Sequence, residues 1–262
     1  MSVVRDRSHP RSPLCAPAAL LFLGAVLSSS AALAYRPSSS SVLHRAIERS
    51  IERASRALRV DATVQLYAAD GSRRGEPLVE RVWVAPPWQM RRETEGDDGV
   101  IVEVRADGRL LTKTPGQPDK TSKAGVDVLV ELLAPLPPAQ AAGDQLLASL
   151  KTLGINTEVT SFARFDGRVA IVIGSKPWQT DQPQAWFDKD TLLPVRVVTF
   201  GKGSDGAPVK IDVRYLGWGS PVGGNWYPAS IEVWKSDKLV RRSVTQSVER
   251  NGTIDAGVFS LR

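Results

Sequence analysis
The chain has 262 residues, 42% hydrophobic and 24% charged, a net charge of +6, 21 glycines and 18 prolines. Such a composition builds a folded core and excludes disordered and collagen-like chains. Chemistry-bearing side chains are scarce: one cysteine, Cys15, and two histidines, His9 and His44. With the first 34 residues set aside, as argued next, no cysteine and one histidine remain. That excludes a disulfide framework, a cysteine-bearing zinc site, a thiol nucleophile and a histidine-pair metal centre.

Arg5, Arg7 and Arg11 precede an apolar run over residues 16–27, followed by serines and the Ala32-Leu33-Ala34 triplet before Tyr35. This is the order of a secretory signal peptide, and it predicts cleavage after Ala34. Cys15 precedes the apolar run instead of following it, so no lipid anchor is expected. An exported chain without disulfides points to a bacterial periplasm or exterior. The basic pairs Arg73-Arg74, Arg91-Arg92 and Arg241-Arg242 lie far apart and are interleaved with glutamates. They read as solvated faces and not as a phosphate track, so no nucleic-acid partner is expected.

Over residues 42–58, Leu43, Ile47, Ile51, Ala54 and Leu58 recur at spacings of three and four, with Ser41 as a cap. The pattern predicts one amphipathic helix. From Val60 the period becomes two, through Ala62, Val64, Leu66 and Ala68, until Asp70-Gly71 turns the chain. Strand-like runs follow at 78–85, 88–95, 100–106 and 109–114, separated by Pro86-Pro87, residues 96–99 and Asp107-Gly108, as in a meander. Residues 126–133 and 139–153 read as two short helices around a proline-rich link, the second ended by Gly154. Strand resumes at 155–165 and at 168–175, the latter apolar on both faces, as under covering helices. Further strands are expected at 184–188, 193–200, 209–216, 226–235 and 239–249. The sum is an α+β domain over residues 35–262, with about eleven antiparallel strands, an N-terminal helix and a helical insert.

Three motifs imitate chemistry. Gly201, Gly203 and Gly206 spell a dinucleotide-type loop, but an alternating strand follows where a helix must stand, so a hairpin is expected. Asp188 and Asp190 flank Lys189 between two strands, and Asp97-Asp98 lies between glycines; both read as turn residues and not as metal ligands or acids. His44 reads as a solvated helix-face residue. No nucleophile, base and oxyanion site combine, so no catalytic residue, metal or cofactor is expected and an enzyme is disfavoured. All seven tryptophans, at 83, 88, 178, 186, 218, 226 and 234, follow the proposed signal segment, most of them in or beside strands. A long antiparallel sheet with few covering helices can leave an apolar pocket between the layers.

The order of several segments resembles the LolA/LolB-type lipoprotein-carrier family. These are Val82-Trp83-Val84 leading to Pro86-Pro87 and Met90-Arg91-Arg92-Glu93, then the unit at 100–111. In the second half they are Trp186-Phe187-Asp188-Lys189-Asp190-Thr191 leading to Leu193-Pro194-Val195-Arg196, then Gly224-Asn225-Trp226-Tyr227-Pro228, and finally 248–254 with Phe259. The resemblance covers most of residues 42–262. One departure is Ala85, which stands where several carriers have a basic residue before the proline. The resemblance implies an incomplete, strongly curved antiparallel barrel, closed by helices around a cavity for acyl chains. It implies a monomeric carrier without a cofactor, which takes lipoproteins or other lipids from an inner-membrane transporter to an outer-membrane acceptor. A lipid-sensing module of the same fold is the second reading and a secreted hydrolase the third. On this reading Trp83, Trp88, Met90, Val102, Val195 and Val213, from strand faces, are expected to line the cavity with Leu129 and Leu133 of the insert.

Overall fold
Alternation of apolar and polar residues governs most of the chain after residue 57, and the structure, a computed structural model, describes residues 36–52, 57–203 and 206–262. The proposed signal segment, with Cys15 and the cleavage point, lies outside the described residues, as do residues 53–56 and 204–205. Residues Arg36–Arg262 form one compact unit.

Among the described residues thirteen strands make one antiparallel sheet: β1 Leu58–Tyr67, β2 Arg73–Ala85, β3 Gln89–Gly96, β4 Gly99–Ala106, β5 Arg109–Lys113, β6 Lys120–Lys123, β7 Thr160–Phe165, β8 Arg168–Ile173, β9 Gln184–Asp188, β10 Pro194–Lys202, β11 Pro208–Leu216, β12 Ser230–Lys235 and β13 Lys238–Arg250. The order is β6-β5-β4-β3-β2-β1-β13-β12-β11-β10-β9-β8-β7, so the sheet is not closed. Only β1 and β13 pair across a long sequence separation; every other neighbour is a consecutive strand. The segment with α2 Val128–Leu133 and α3 Ala139–Thr152 therefore leaves one sheet edge, β6, and returns to the other, β7.

The expected count of about eleven, for which twelve runs were named, is corrected to thirteen among the described residues. The strand that the sequence pattern did not announce is β6, Lys-Thr-Ser-Lys, exposed at every position. It carries no apolar alternation because it is an edge, where lysines oppose further pairing. Two boundaries also move. Leu58 opens β1 and does not end the helix α1 Ser39–Glu52. Trp226 and Tyr227 lie in a turn ahead of β12, both donating their backbone N–H to Gly223 O at 3.1 and 3.2 Å.

The α-helices α1, α2 and α3 pack on one face of the sheet. From α1 come Val42, Leu43, Ala46 and Ile47, from α2 Leu129 and Leu132, and from α3 Ala142, Leu146 and Leu150. They meet Val60, Val82, Val84, Met90, Ile171, Ile173, Phe187 and Val197 of the sheet. Each fully buried Leu, Ile or Phe contributes about 1.5–3 kcal/mol, and this layer is the main source of stability. Asp127 starts α2, its Oδ1 accepting the N–H groups of Leu129 and Val130 at 3.1 Å. On the opposite face the C-terminal segment seats Ile254, Val258, Phe259 and Leu261 against Trp83, Ala85, Val102, Val104 and Leu111. A third cluster joins Ala170, Val172, Trp186 and Val195 with Phe165 and Trp218.

Candidate functional site
Between the helices and the sheet lies a cleft of about 300 Å³. Val197, Val213, Ile231 and Val233 form its floor beneath β10, β11 and β12, while Val128 and Leu129 of α2 form part of its roof. Its other end is charged, with Glu80 of β2, Arg92 of β3 and Arg241 of β13. A second cleft of about 180 Å³ shares Arg92, Val126 and Asp127 with the first and continues past Met90, Arg105 and Leu110 to Gly125, which is exposed.

Strand parity fixes which side chains enter. Val82, Val84 and Met90 share the helix-covered face, and Arg92 pairs with Val82, so Arg92 points the same way. Glu80, two residues before Val82, follows. Its carboxylate is 3% exposed at residue level and accepts from Ser243 Oγ at 3.2 Å and from Arg241 Nη2. Arg92 donates from Nη1 to Glu103 at 3.1 Å, and its Nε lies 3.5 Å from Glu80 Oε2. Burial alone would lower the Arg92 pKa, but the charges of Glu80 and Glu103 outweigh it and hold the guanidinium more firmly protonated than usual. Tyr215 and Tyr227 also line the cleft, and burial pushes both phenols above their ordinary range.

The eight side chains expected at the cavity separate. Leu129 and Val213 line the main cleft and Met90 the adjoining one. Leu133 belongs to the same core but lines a small void between α1, α2 and Trp226. Trp88 is not on a strand: it stands in the turn between β2 and β3, φ 51°, with its N–H donating to Ala134 O at 2.8 Å. Trp83 and Val102 face away from the helices, packed under the C-terminal segment, because they alternate with Val82, Val84 and Glu103. Val195 fails for a different reason. An irregularity between Pro194 and Arg196 puts two consecutive residues on one face, so Val195 joins Trp186 instead of Val197. The charged end of the cleft was not anticipated, although Glu80 occupies an apolar-face position between Leu78 and Val82, which is itself a signal.

The imitating motifs resolve locally. The glycine loop is the β10–β11 hairpin, with Gly203 N–H donating to Ala207 O at 2.7 Å and a strand after it. Asp188 Oδ1 accepts from Asp190 N–H at 3.0 Å and from Thr191 N–H and Oγ1 at 2.8 and 2.9 Å, and Arg168 Nε sits 3.0 Å from Oδ2. Its carboxylate is committed to the turn. His44 is not a freely solvated residue: its ring joins α1 to α3, Nδ1 3.2 Å from Ser40 Oγ and Nε2 3.0 Å from Asp144. Gly143 permits that approach, since a Cβ there would stand 1.9 Å from His44 Cδ2.

No protein-family model matches the sequence, and no curated protein matches it. Solved structures do. A LolA superfamily protein from Nitrosomonas europaea aligns over 83% of this chain and 97% of its own length at 10% identity, with a TM-score of 0.50. A putative outer-membrane lipoprotein-sorting protein domain from Vibrio parahaemolyticus aligns over 82% and 95% at 10% identity, TM-score 0.49. A DUF1329 family protein from Desulfovibrio piger covers 86% and 98% at 12% identity, TM-score 0.42. The open antiparallel sheet with helices on one face is a LolA-like fold.

Proposed function
We propose that the chain binds acyl chains of lipoproteins or other lipids in the cleft and carries them across the periplasm toward the outer membrane. On this reading the sheet acts as an incomplete, curved barrel that the helices close. The cargo comes from an inner-membrane transporter and passes to an outer-membrane acceptor, with no cofactor and no turnover. Leu129 and Val213 contact the chain, with Met90 at the adjoining cleft. The observation that carries the proposal is the cleft of about 300 Å³, floored by valines inside a LolA-like fold. Such a volume lies at the lower end for small-molecule pockets. At about 0.8 kcal/mol per buried methylene, a ten-carbon chain has about 8 kcal/mol of gross driving force, before ordering costs.

Titration with a fluorescent fatty-acyl probe tests the proposal. Wild-type protein is expected to bind in the micromolar range. Val213→Trp, which fills the floor, is expected to weaken binding about ten-fold or more, while Lys202→Glu at the β10–β11 hairpin leaves it unchanged. Both variants must keep the wild-type far-UV spectrum. A folded wild-type protein that binds neither acyl probe nor lipopeptide overturns the reading.

A further inference from the structure
The cleft changes character along the sheet, apolar under β10 to β12 and charged under β13, β2 and β3. That end offers no surplus positive charge, because Arg92 and Arg241 face Glu80 and Glu103, and Asp127 adds a further carboxylate where the two clefts meet. What remains unsatisfied is a donor. Arg92 Nε has almost no accessible surface and no hydrogen-bond partner, its 3.5 Å approach to Glu80 Oε2 being an ion pair without hydrogen-bond geometry, and an acceptor in the cleft reaches it when the Arg92 side chain, 29% exposed, turns toward that space. Native proteins seldom keep such a donor unsatisfied, and an acceptor oxygen completes it without the need for a full negative charge. Position narrows the acceptor further: Arg92 stands where the main cleft meets the second one, which leads past Arg105 to the exposed Gly125. A group bound there has an apolar neighbour on one side and an exit on the other.

We propose that Arg92 Nε recognises the carbonyl oxygen of an acyl group, with one chain lying over Val213 and Val233 and the substituent leaving through the second cleft. This rests on the lipid-binding reading above and specifies its ligand. The room supports a single chain: about 300 Å³ equals about ten waters at ~30 Å³ each, and a similar number of methylenes. Free acids, esters and amides all present this oxygen; an ether-linked chain does not.

The test is displacement of the fluorescent acyl probe from the purified exported protein by matched 12-carbon ligands. These are a 1-dodecanoyl lysophospholipid, its 1-O-dodecyl ether analogue with the same head, N-dodecanoylglycine and dodecanoate. The ester is expected to compete about five-fold better than the ether, the scale of one hydrogen bond. The ranking of ester, amide and free acid identifies which linkage the site serves. Arg92→Met, and Arg92→Lys as a charge-retaining second variant, are expected to abolish the ester preference while the ether still binds. The wild-type ratio needs no variant and so does not depend on how the variants fold. Equal displacement by ester and ether, or a preference that survives in a folded Arg92→Met, overturns the assignment while leaving lipid binding intact. If no ligand binds, the lipid-binding reading fails as well.

Discussion
The two faces of this sheet are closed by different means. On the helix-covered face, side chains from α1, α2 and α3 interdigitate with the strands, and the second layer leaves room for a cleft. The opposite face across β9 to β13 is covered by its own side chains. Arg196 lies 5.1 Å over Trp186 and donates twice to Asp212, at 2.9 and 2.8 Å. Arg214 donates to the same carboxylate and lies 4.3 Å over Trp234, whose Nε1 donates to Glu232 at 2.9 Å; Glu232 also accepts from Arg242 at 2.8 Å. Arginine stems and indoles lying flat cover apolar surface while their heads pair across strands, so no further layer is needed. The larger cleft, of about 300 Å³, lies on the face closed by helices; the opposite face keeps smaller spaces beside Trp218 and beneath the C-terminal segment.

Adjacent residues of β11 break the comparison most sharply, since Asp212 serves one face and Val213 the other. Asp212→Asn leaves two guanidinium groups without their shared anion. It is expected to cost about 3 kcal/mol, the low end for a buried pair because both arginines are partly exposed. Burial pulls the Asp212 carboxyl upward, but hydrogen bonds and charge from Arg196 and Arg214 outweigh it and hold it below the usual carboxylate range. Its stabilisation is therefore present above the ordinary carboxylate pKa and is lost as pH falls through the folded value. Urea unfolding against pH measures both effects, with acyl-probe affinity unchanged. A variant of wild-type stability, or one that loses probe binding while folded, contradicts the division between the faces.

The helix layer is tested next at Gly143. Alanine is the better helix former by up to about 1 kcal/mol, yet its Cβ would overlap His44, whose ring is held by Ser40 and Asp144. Gly143→Ala is expected to lower stability by about 2 kcal/mol through overpacking, and His44→Ala in the same chain to restore much of it. Thermal unfolding of the single and double variants decides, and a stabilised single variant contradicts the close packing of α1 on α3.

Legibility in the sequence differed between the faces as well. The alternation from Val60 to Val64 and the three-and-four spacing in α1 are local signals, and they carried over into β1 and the helix layer. Met90, Leu129 and Val213, expected at the cavity with the others, lie on the helix-covered face beside the clefts. What failed had two causes. Val195 is displaced by an irregularity in its pairing with the preceding strand β9, which alternation does not reveal, and Trp83 and Val102 are claimed by the C-terminal segment, far along the chain. Apolar alternation says that a residue is buried but not which of two coverings buries it. The Arg92–Glu80–Arg241 network was hidden for a related reason: Arg92 and Glu80 meet within the β2–β3 hairpin, but Arg241 of β13 comes beside them only through the long-range β1–β13 pairing.

The smallest expected effect sharpens the comparison from inside the helix layer, where an acid lacks the pairing that Asp212 enjoys. Glu131 of α2 is buried, its Oε2 has no hydrogen-bond partner, and its Oε1 is 3.5 Å from Arg105 Nη2. Burial pushes its carboxyl above the usual range, and Ser149 and Arg105 pull it only part of the way back. A raised carboxyl binds its proton more tightly in the folded state, so between the ordinary and the folded pKa stability falls as pH rises. Above that window the burial penalty of the charged form is fully present; below the ordinary pKa it is absent. Glu131→Gln keeps the shape and removes the charge, and is expected to add about 1 kcal/mol at pH 8 and nothing measurable at pH 3.5. Urea midpoints at the two pH values check this. A Gln variant that loses stability at pH 8 would mean that the Arg105 ion pair outweighs burial. The helix layer would then hold its charges as the opposite face does.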